Sequence, residues 1–211
     1  DQKQALAAHP DAKIAARAPT SATNNTVQQV YGGDLLGNVW RFDINGDIGA
    51  PGVDAQLLVQ LKDAAGNAQP ITAKPTVGSV NNEPLVMLGT GRYLGLSDLN
   101  DNNTYTMYAV KDKLQSTMLG TPRVGGSNFV NQTMQDVPCP SDAPATICVQ
   151  GQVVRTVTTT PVDWGVKNGW YVDFLIAGER AVTDSTLALG TLVFTTVKPQ
   201  STTVSTIIGC N

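Results

Sequence analysis

The stretch GWYVDFLIAGERAVTDSTLALGTLVFTTVKP (169–199) decides the fold class. Trp170, Val172, Phe174 and Ile176 alternate with Tyr171, Asp173 and Leu175. That period of two sends neighbours to opposite faces of a strand. Residues 181–183 and 191–197 read as two more strands flanking a turn over 184–190. Working outward, VQQVYGGDLLGNVWRFDI (27–44) reads as a hairpin: a strand up to Tyr31, a Gly/Asp/Asn turn, then a strand over 39–44. Its second strand puts Trp40, Phe42 and Ile44 on one face and Val39, Arg41 and Asp43 on the other. EPLVMLGTGRYLG (83–95) supplies a strand over 85–89, expected to pair with 104–110 in NTYTMYAV. ICVQGQVVRTVTTT (147–160) reads as a long strand or hairpin, and TTVSTIIGC (202–210) as a last strand. At strand spacing beside Val and Leu, Trp40 and Trp170 are expected to wedge into the core.

Composition agrees. Among 211 residues there are 23 Val and 24 Thr, but two Glu and eight Lys. Branching at Cβ stiffens χ1 and suits a pleated surface, whereas Glu and Lys favour helices. A formal net charge of −3 argues against nucleic-acid binding, which draws on a basic surplus. Mean hydropathy is −0.08, and no apolar run approaches the ~20 residues that span a bilayer.

Residues 1–26 differ from the rest. They read as a tail: one or two short helices around 4–17, broken near Pro10, and then a linker. Residues 27–211 form the β-rich region, with a long insertion at 111–145. Cys139 and Cys148 bracket a Pro/Ser/Ala loop and are expected to form a disulfide, with two unrelated thiols as the alternative. Cys210 is left odd, and its partner is expected beyond Asn211. The chain starts at Asp1 without Met, so we expect a processed protein or a segment of a longer one.

Catalytic signatures are missing. The single His lies in the tail, and there is no G-x-S-x-G elbow, P-loop or dinucleotide fingerprint. Glu179 and Arg180 read as a structural ion pair. The chain is therefore expected not to be an enzyme.

Three hairpins centred near Tyr31, Val86 and Val182 lie 55 and 96 residues apart, and 96 is twice 48. Four-stranded repeats of ~40–50 residues mark β-propeller blades. The reading is all-β, propeller-like blades of antiparallel strands; an irregular β-sandwich is the alternative. At ~45 residues per blade the chain holds about four blades, so it is expected to be part of a larger propeller.

YGGDLLGNVWRFDI (31–44), LVMLGTGRYLG (85–95) with TYTMYAV (104–110), and the 169–199 stretch together resemble the C-terminal propeller of the PilY1/PilC family. These are tip-associated adhesins and assembly factors of bacterial type IV pili. The resemblance implies an exported protein at the cell surface, pilus tip or outer membrane. It implies minor pilins and host or abiotic surfaces as partners, and roles in adhesion, pilus assembly and twitching motility. A propeller enzyme of quinoprotein-dehydrogenase type and a sugar-binding propeller are the alternatives. Many family members carry a calcium loop before the strand that matches Val30–Tyr31, but SATNNTVQQ (21–29) has no carboxylate there.

Calcium takes six to eight oxygens, with carboxylates supplying charge. On that chemistry the candidate loop is Asp98, Asn100, Asp101 and Asn102, with a plain solvated Asn/Asp loop as the alternative. No other cofactor is indicated. Trp164, in the loop TPVDWGVKNG (160–169), is the aromatic expected to contact a surface.

Overall fold

The computed structural model describes residues 13–18, 25–44, 55–123, 128–146 and 148–200. Thirteen strands are formed among them, and the only helical element is a short 3-10 turn. β1 (Ile14–Arg17), β2 (Gln29–Gly33), β3 (Asn38–Asp43) and β4 (Ala55–Gln60) make an antiparallel sheet in chain order. A second sheet holds β5 (Thr76–Val80), β6 (Glu83–Gly89), β7 (Thr106–Lys111), β8 (Phe129–Gln132) and β11 (Gly169–Asp173). Its order is β5-β6-β7-β11-β8. β9 (Met134–Pro138) and β10 (Val153–Val157) pair as a separate ribbon, and β12 (Thr186–Ala188) and β13 (Thr191–Val193) as a short hairpin. All pairings are antiparallel except β8 with β11. A parallel pair needs a long crossover, and residues 133–168, which carry the ribbon, supply it.

β7 explains how the second sheet is buried on both sides. All six of its residues are buried. Tyr108 and Val110 face one cluster, with Val86 and Leu88 of β6 and Tyr31, Val39, Leu58 and Val59 of the first sheet. Met107 faces the other cluster, with Val172, Phe174 and Ala181 and the half-buried Trp170. The period of two therefore sends alternate residues into two cores, each full burial contributing about 1.5–3 kcal/mol.

The turn between β2 and β3 is built by Asp34. Its Oδ1 accepts the N–H groups of Leu36 and Asn38, and its Oδ2 accepts Asn38 Nδ2 and Trp40 Nε1. Asp63 repeats the first three bonds in DAAGN (63–67), with Ala65 and Asn67 as donors. The motif D-x-x-G-N thus makes two like turns, with the aspartate standing in for backbone acceptors.

Several expectations are corrected. Residues 14–17 are strand β1, not helix; pairing with β2 overrides the helix preference of alanine. The rest of the expected helix lies outside the described residues. Val39, Arg41 and Asp43 form the inner face of β3, while Trp40 and Phe42 are half-buried and Ile44 exposed. Trp40 is held by Asp34 rather than wedged into the core, because its indole N–H needs an acceptor. Trp170 is also half-buried, packed on the second cluster. Val182 is in no strand; the last hairpin closes over Leu189–Gly190, and a single bridge joins Arg180 to Val197. The span 111–145 is not a free loop, since β8 and β9 lie inside it. Strand 202–210 and Cys210 lie outside the described residues.

Candidate functional site

Two arginines, Arg41 buried and Arg123 partly buried, stitch the sheets together. Arg41 of β3 donates Nε to Asp43 Oδ2 and Nη1 to Asp112 Oδ1, each at 2.9 Å. Tyr31 Oη completes the group by donating to Asp112 Oδ2 at 2.9 Å. Burial raises the Asp112 carboxyl above its ordinary value, although Arg41 pulls the other way. Burial, with the Asp112 charge beside it, also raises the Tyr31 phenol.

Arg123, beyond β7, donates Nη1 to Asp173 Oδ2 at 3.0 Å and Nη2 to Asp173 Oδ1 and Thr106. Its guanidinium lies 4.5 Å from the centre of the Tyr171 ring. Burial works against its charge, but the Asp173 bond holds its pKa above the ordinary value. Burial pushes the neighbouring Tyr108 phenol up to about 12, with Arg123 opposing. Tyr108 Oη donates to Gln69 Oε1 or to Lys62 O. These groups are engaged with one another, which describes a structural network rather than a poised acid–base pair.

The exposed face is elsewhere. Between β6 and β7 the chain runs through the 3-10 turn Leu96–Asn100. Tyr93, Leu94 and Leu96 are 50%, 67% and 84% exposed. With Gly95 and Leu99 they line an open hollow of about 320 Å³. Asp98 holds this loop from inside: its carboxylate accepts Arg92 Nε at 2.9 Å and the N–H groups of Leu94 and Gly95. Burial alone would raise its pKa, but these donors win and lower it. A cluster of exposed apolar side chains on a fixed backbone suits contact with another surface.

The ribbon β9–β10 is the other exposed feature. Cys139 and Cys148 are joined by a disulfide at its tip, with Cα atoms 5.9 Å apart. Arg155 anchors its base through Asp136 and Glu179. Val149 and Val153 are exposed. Trp164 is half-buried, and its carbonyl accepts Lys111 Nζ, tying the 161–168 loop to the second sheet.

The residues expected to hold calcium lie on the 3-10 turn and the loop after it. The Asp98 oxygens accept three protein donors, and the Asp101 oxygens accept Asn103 N and Tyr105 Oη. Asn102 Nδ2 donates to Asn100 O at 3.2 Å. Both oxygens of each carboxylate thus accept hydrogen bonds from the protein. Among the described residues no group of three or more His, Cys, Asp or Glu side chains could hold a metal.

The expected pair of Glu179 with Arg180 is not formed. Glu179 binds Arg155 and Thr196, while Arg180 turns to carbonyls of the 92–104 loop. Sequence reasoning also missed Arg41, Asp112 and Arg123. For Arg41 the available signal was an arginine at an inward position of a strand, which needs a buried acid.

Comparison with known proteins follows from this architecture. The family described as "PilY1 beta-propeller domain" matches residues 13–139, more than half of the chain. The chain is 29% identical over 213 residues to the "Type IV pilus biogenesis factor PilY1" of Pseudomonas aeruginosa PAO1, covering 83% of this chain and 18% of that protein. It is 28% identical over 198 residues to a Xylella fastidiosa PilY1 homolog, covering 82% and 12%. The chain therefore spans less than a fifth of these relatives. The crystal structure of the Pseudomonas aeruginosa PilY1 C-terminal domain superposes with a TM-score of 0.68 at 23% identity, covering 88% of this chain and 44% of that one. That likeness extends to the fold, and the chain belongs to the PilY1 family.

Proposed function

We propose that this chain is a section of a larger β-propeller, in a protein that acts at the tip of type IV pili as a non-enzymatic adhesin and assembly factor. The observation that carries the reading is the family match over residues 13–139. On this reading the protein is exported and works at the cell surface or outer membrane. Minor pilins are its protein partners, and host or abiotic surfaces its other contacts. The two larger sheets are the blades, and the rest of the ring covers their open edges.

Contact is assigned to the exposed Tyr93–Leu94–Leu96 face and the disulfide-tipped ribbon, together with the half-buried Trp164, all on rigid supports. Asp112, in a buried ion pair with Arg41, and Arg123, paired with Asp173, argue against the whole 111–145 span being a dispensable loop.

The test is gene replacement in the organism that carries the protein. Deletion is expected to reduce surface pili, attachment and twitching, and the wild-type gene to restore them. A chain with the 139–148 tip replaced by a short turn is expected to be exported and folded but to restore attachment poorly. Normal piliation and attachment after deletion would overturn the function. Full restoration by the tip variant would overturn only the assignment of the ribbon.

A further inference from the structure

Arg180 is fully buried, and among the described residues no carboxylate forms an ion pair with it. A buried cation without an acid is costly unless other groups replace its hydration. Here backbone carbonyls do so. Nη1 donates to Arg92 O at 2.6 Å and to Asp98 O at 2.9 Å. Nη2 donates to Asp101 O at 2.7 Å, and Nε to Gly178 O at 2.9 Å. The Tyr105 ring lies 5.5 Å away and presents its electron-rich face to the same charge.

Two of the four carbonyls, those of Asp98 and Asp101, belong to the loop that reads in sequence as a calcium site, and Arg92 lies just before it. Convergent carbonyls around a positive centre are what a calcium loop offers its ion, supplemented by carboxylates. In this loop the inward carbonyls meet a guanidinium, and the Asp98 and Asp101 carboxylates meet other donors. A divalent ion set among the same oxygens would be repelled by Arg180 at short range. Close packing fixes the arginine in place: a Cβ on Gly91 would lie 2.3 Å from Arg180 Cβ. The backbone of Arg180 is held in turn by Val197 through two hydrogen bonds.

We propose that Arg180 is the resident cation of the 92–104 loop, filling the carbonyl site that a metal would otherwise occupy, so that this loop keeps its shape without calcium. The rigid presentation of Tyr93, Leu94 and Leu96 then depends on tertiary folding, which brings Arg180 to the loop, and not on the ionic composition outside the cell.

The experiment is hydrogen exchange of the 92–104 amides in the full-length protein, in millimolar calcium and in EDTA. Equal protection in both conditions is expected. Arg180→Met, which keeps the aliphatic stem and removes the charge, is expected to speed exchange there at least tenfold in EDTA while β2 and β3 stay protected. Loss of wild-type protection in EDTA with recovery in calcium would overturn the proposal, whatever the variant does. Unchanged 92–104 exchange in a folded Arg180→Met protein would overturn it as well. If that variant fails to fold, the calcium and EDTA comparison on the unaltered protein still decides.

Discussion

Arg41 and Asp112 stand 71 residues apart in the chain and meet at 2.9 Å, each side chain only 1% exposed. Arg41 belongs to the first sheet, and Asp112 directly follows β7 of the second. The pair is thus one seam between the two sheets, beside the apolar cluster around Tyr31 and Tyr108.

Removing one partner of such a pair leaves an uncompensated buried charge, which costs about 3–5 kcal/mol. Asp112→Ala is expected to lose that amount in urea unfolding. It also removes the acceptors of Tyr31 Oη and Leu114 N. Asp112→Asn keeps acceptor capacity and is expected to lose less. A change under 1 kcal/mol for Asp112→Ala would show that the seam is not structural.

The two D-x-x-G-N turns provide a matched pair. Gly37 and Gly66 both have positive φ, at 75° and 88°. A Cβ on Gly37 would lie 2.4 Å from Leu61 O, whereas a Cβ on Gly66 meets nothing within 4 Å. Gly66→Ala is expected to cost only the left-handed backbone term, about 1–2 kcal/mol. Gly37→Ala is expected to cost at least about 2 kcal/mol more, because backbone must move. Equal melting temperatures for the two variants would contradict this.

The Cys139–Cys148 disulfide closes a short loop, so its stabilisation falls at the lower end of the usual range, about 2–3 kcal/mol. The paired Ser variants are expected to lose protection in the β9–β10 ribbon and to leave β6 and β7 protected. Hydrogen exchange by peptide distinguishes this from global destabilisation.

Acid acts on Asp98 and Asp112 in opposite senses. The Asp98 carboxyl is lowered in the folded protein, so its contribution is complete above the unfolded value of ~3.9 and is lost as pH falls through the folded value. Asp112 is raised, so protonation favours the folded state as pH falls from its folded value towards ~3.9. Asp98→Asn is therefore expected to be less stable than wild type at pH 7. The gap should begin to narrow below about pH 4 and close as pH falls through the lowered folded value. A gap that does not narrow at all on acidification in urea titrations would show that the Asp98 charge is not what holds the loop.

Strand content was legible wherever one local rule sufficed. Residues 85–89 and 104–110 announce themselves by β-branched and aromatic residues, and β6 and β7 within them pair as expected. The Pro-rich loop between Cys139 and Cys148 marks a bridge that the structure contains. Residues 14–17 misled because alanine prefers helix in isolation, while an available strand edge decided otherwise. The face of β3 misled because a strand exposes its alternation but not which side is inward. Hydrophobicity pointed to Trp40 and Phe42, yet the buried side carries Arg41 and Asp43.

The all-β class, the hairpins around Tyr31 and Val86, and the family were readable from side-chain period, spacing and motif, and the Cys139–Cys148 bridge was the favoured of two readings. Tertiary structure alone decided the partners of its buried charges. Arg41 finds Asp112, Arg123 finds Asp173, and Arg180 finds the carbonyls of a loop some 80 residues earlier. A buried charge must be satisfied by whatever group the fold brings within hydrogen-bond distance, and that distance is not written in sequence spacing.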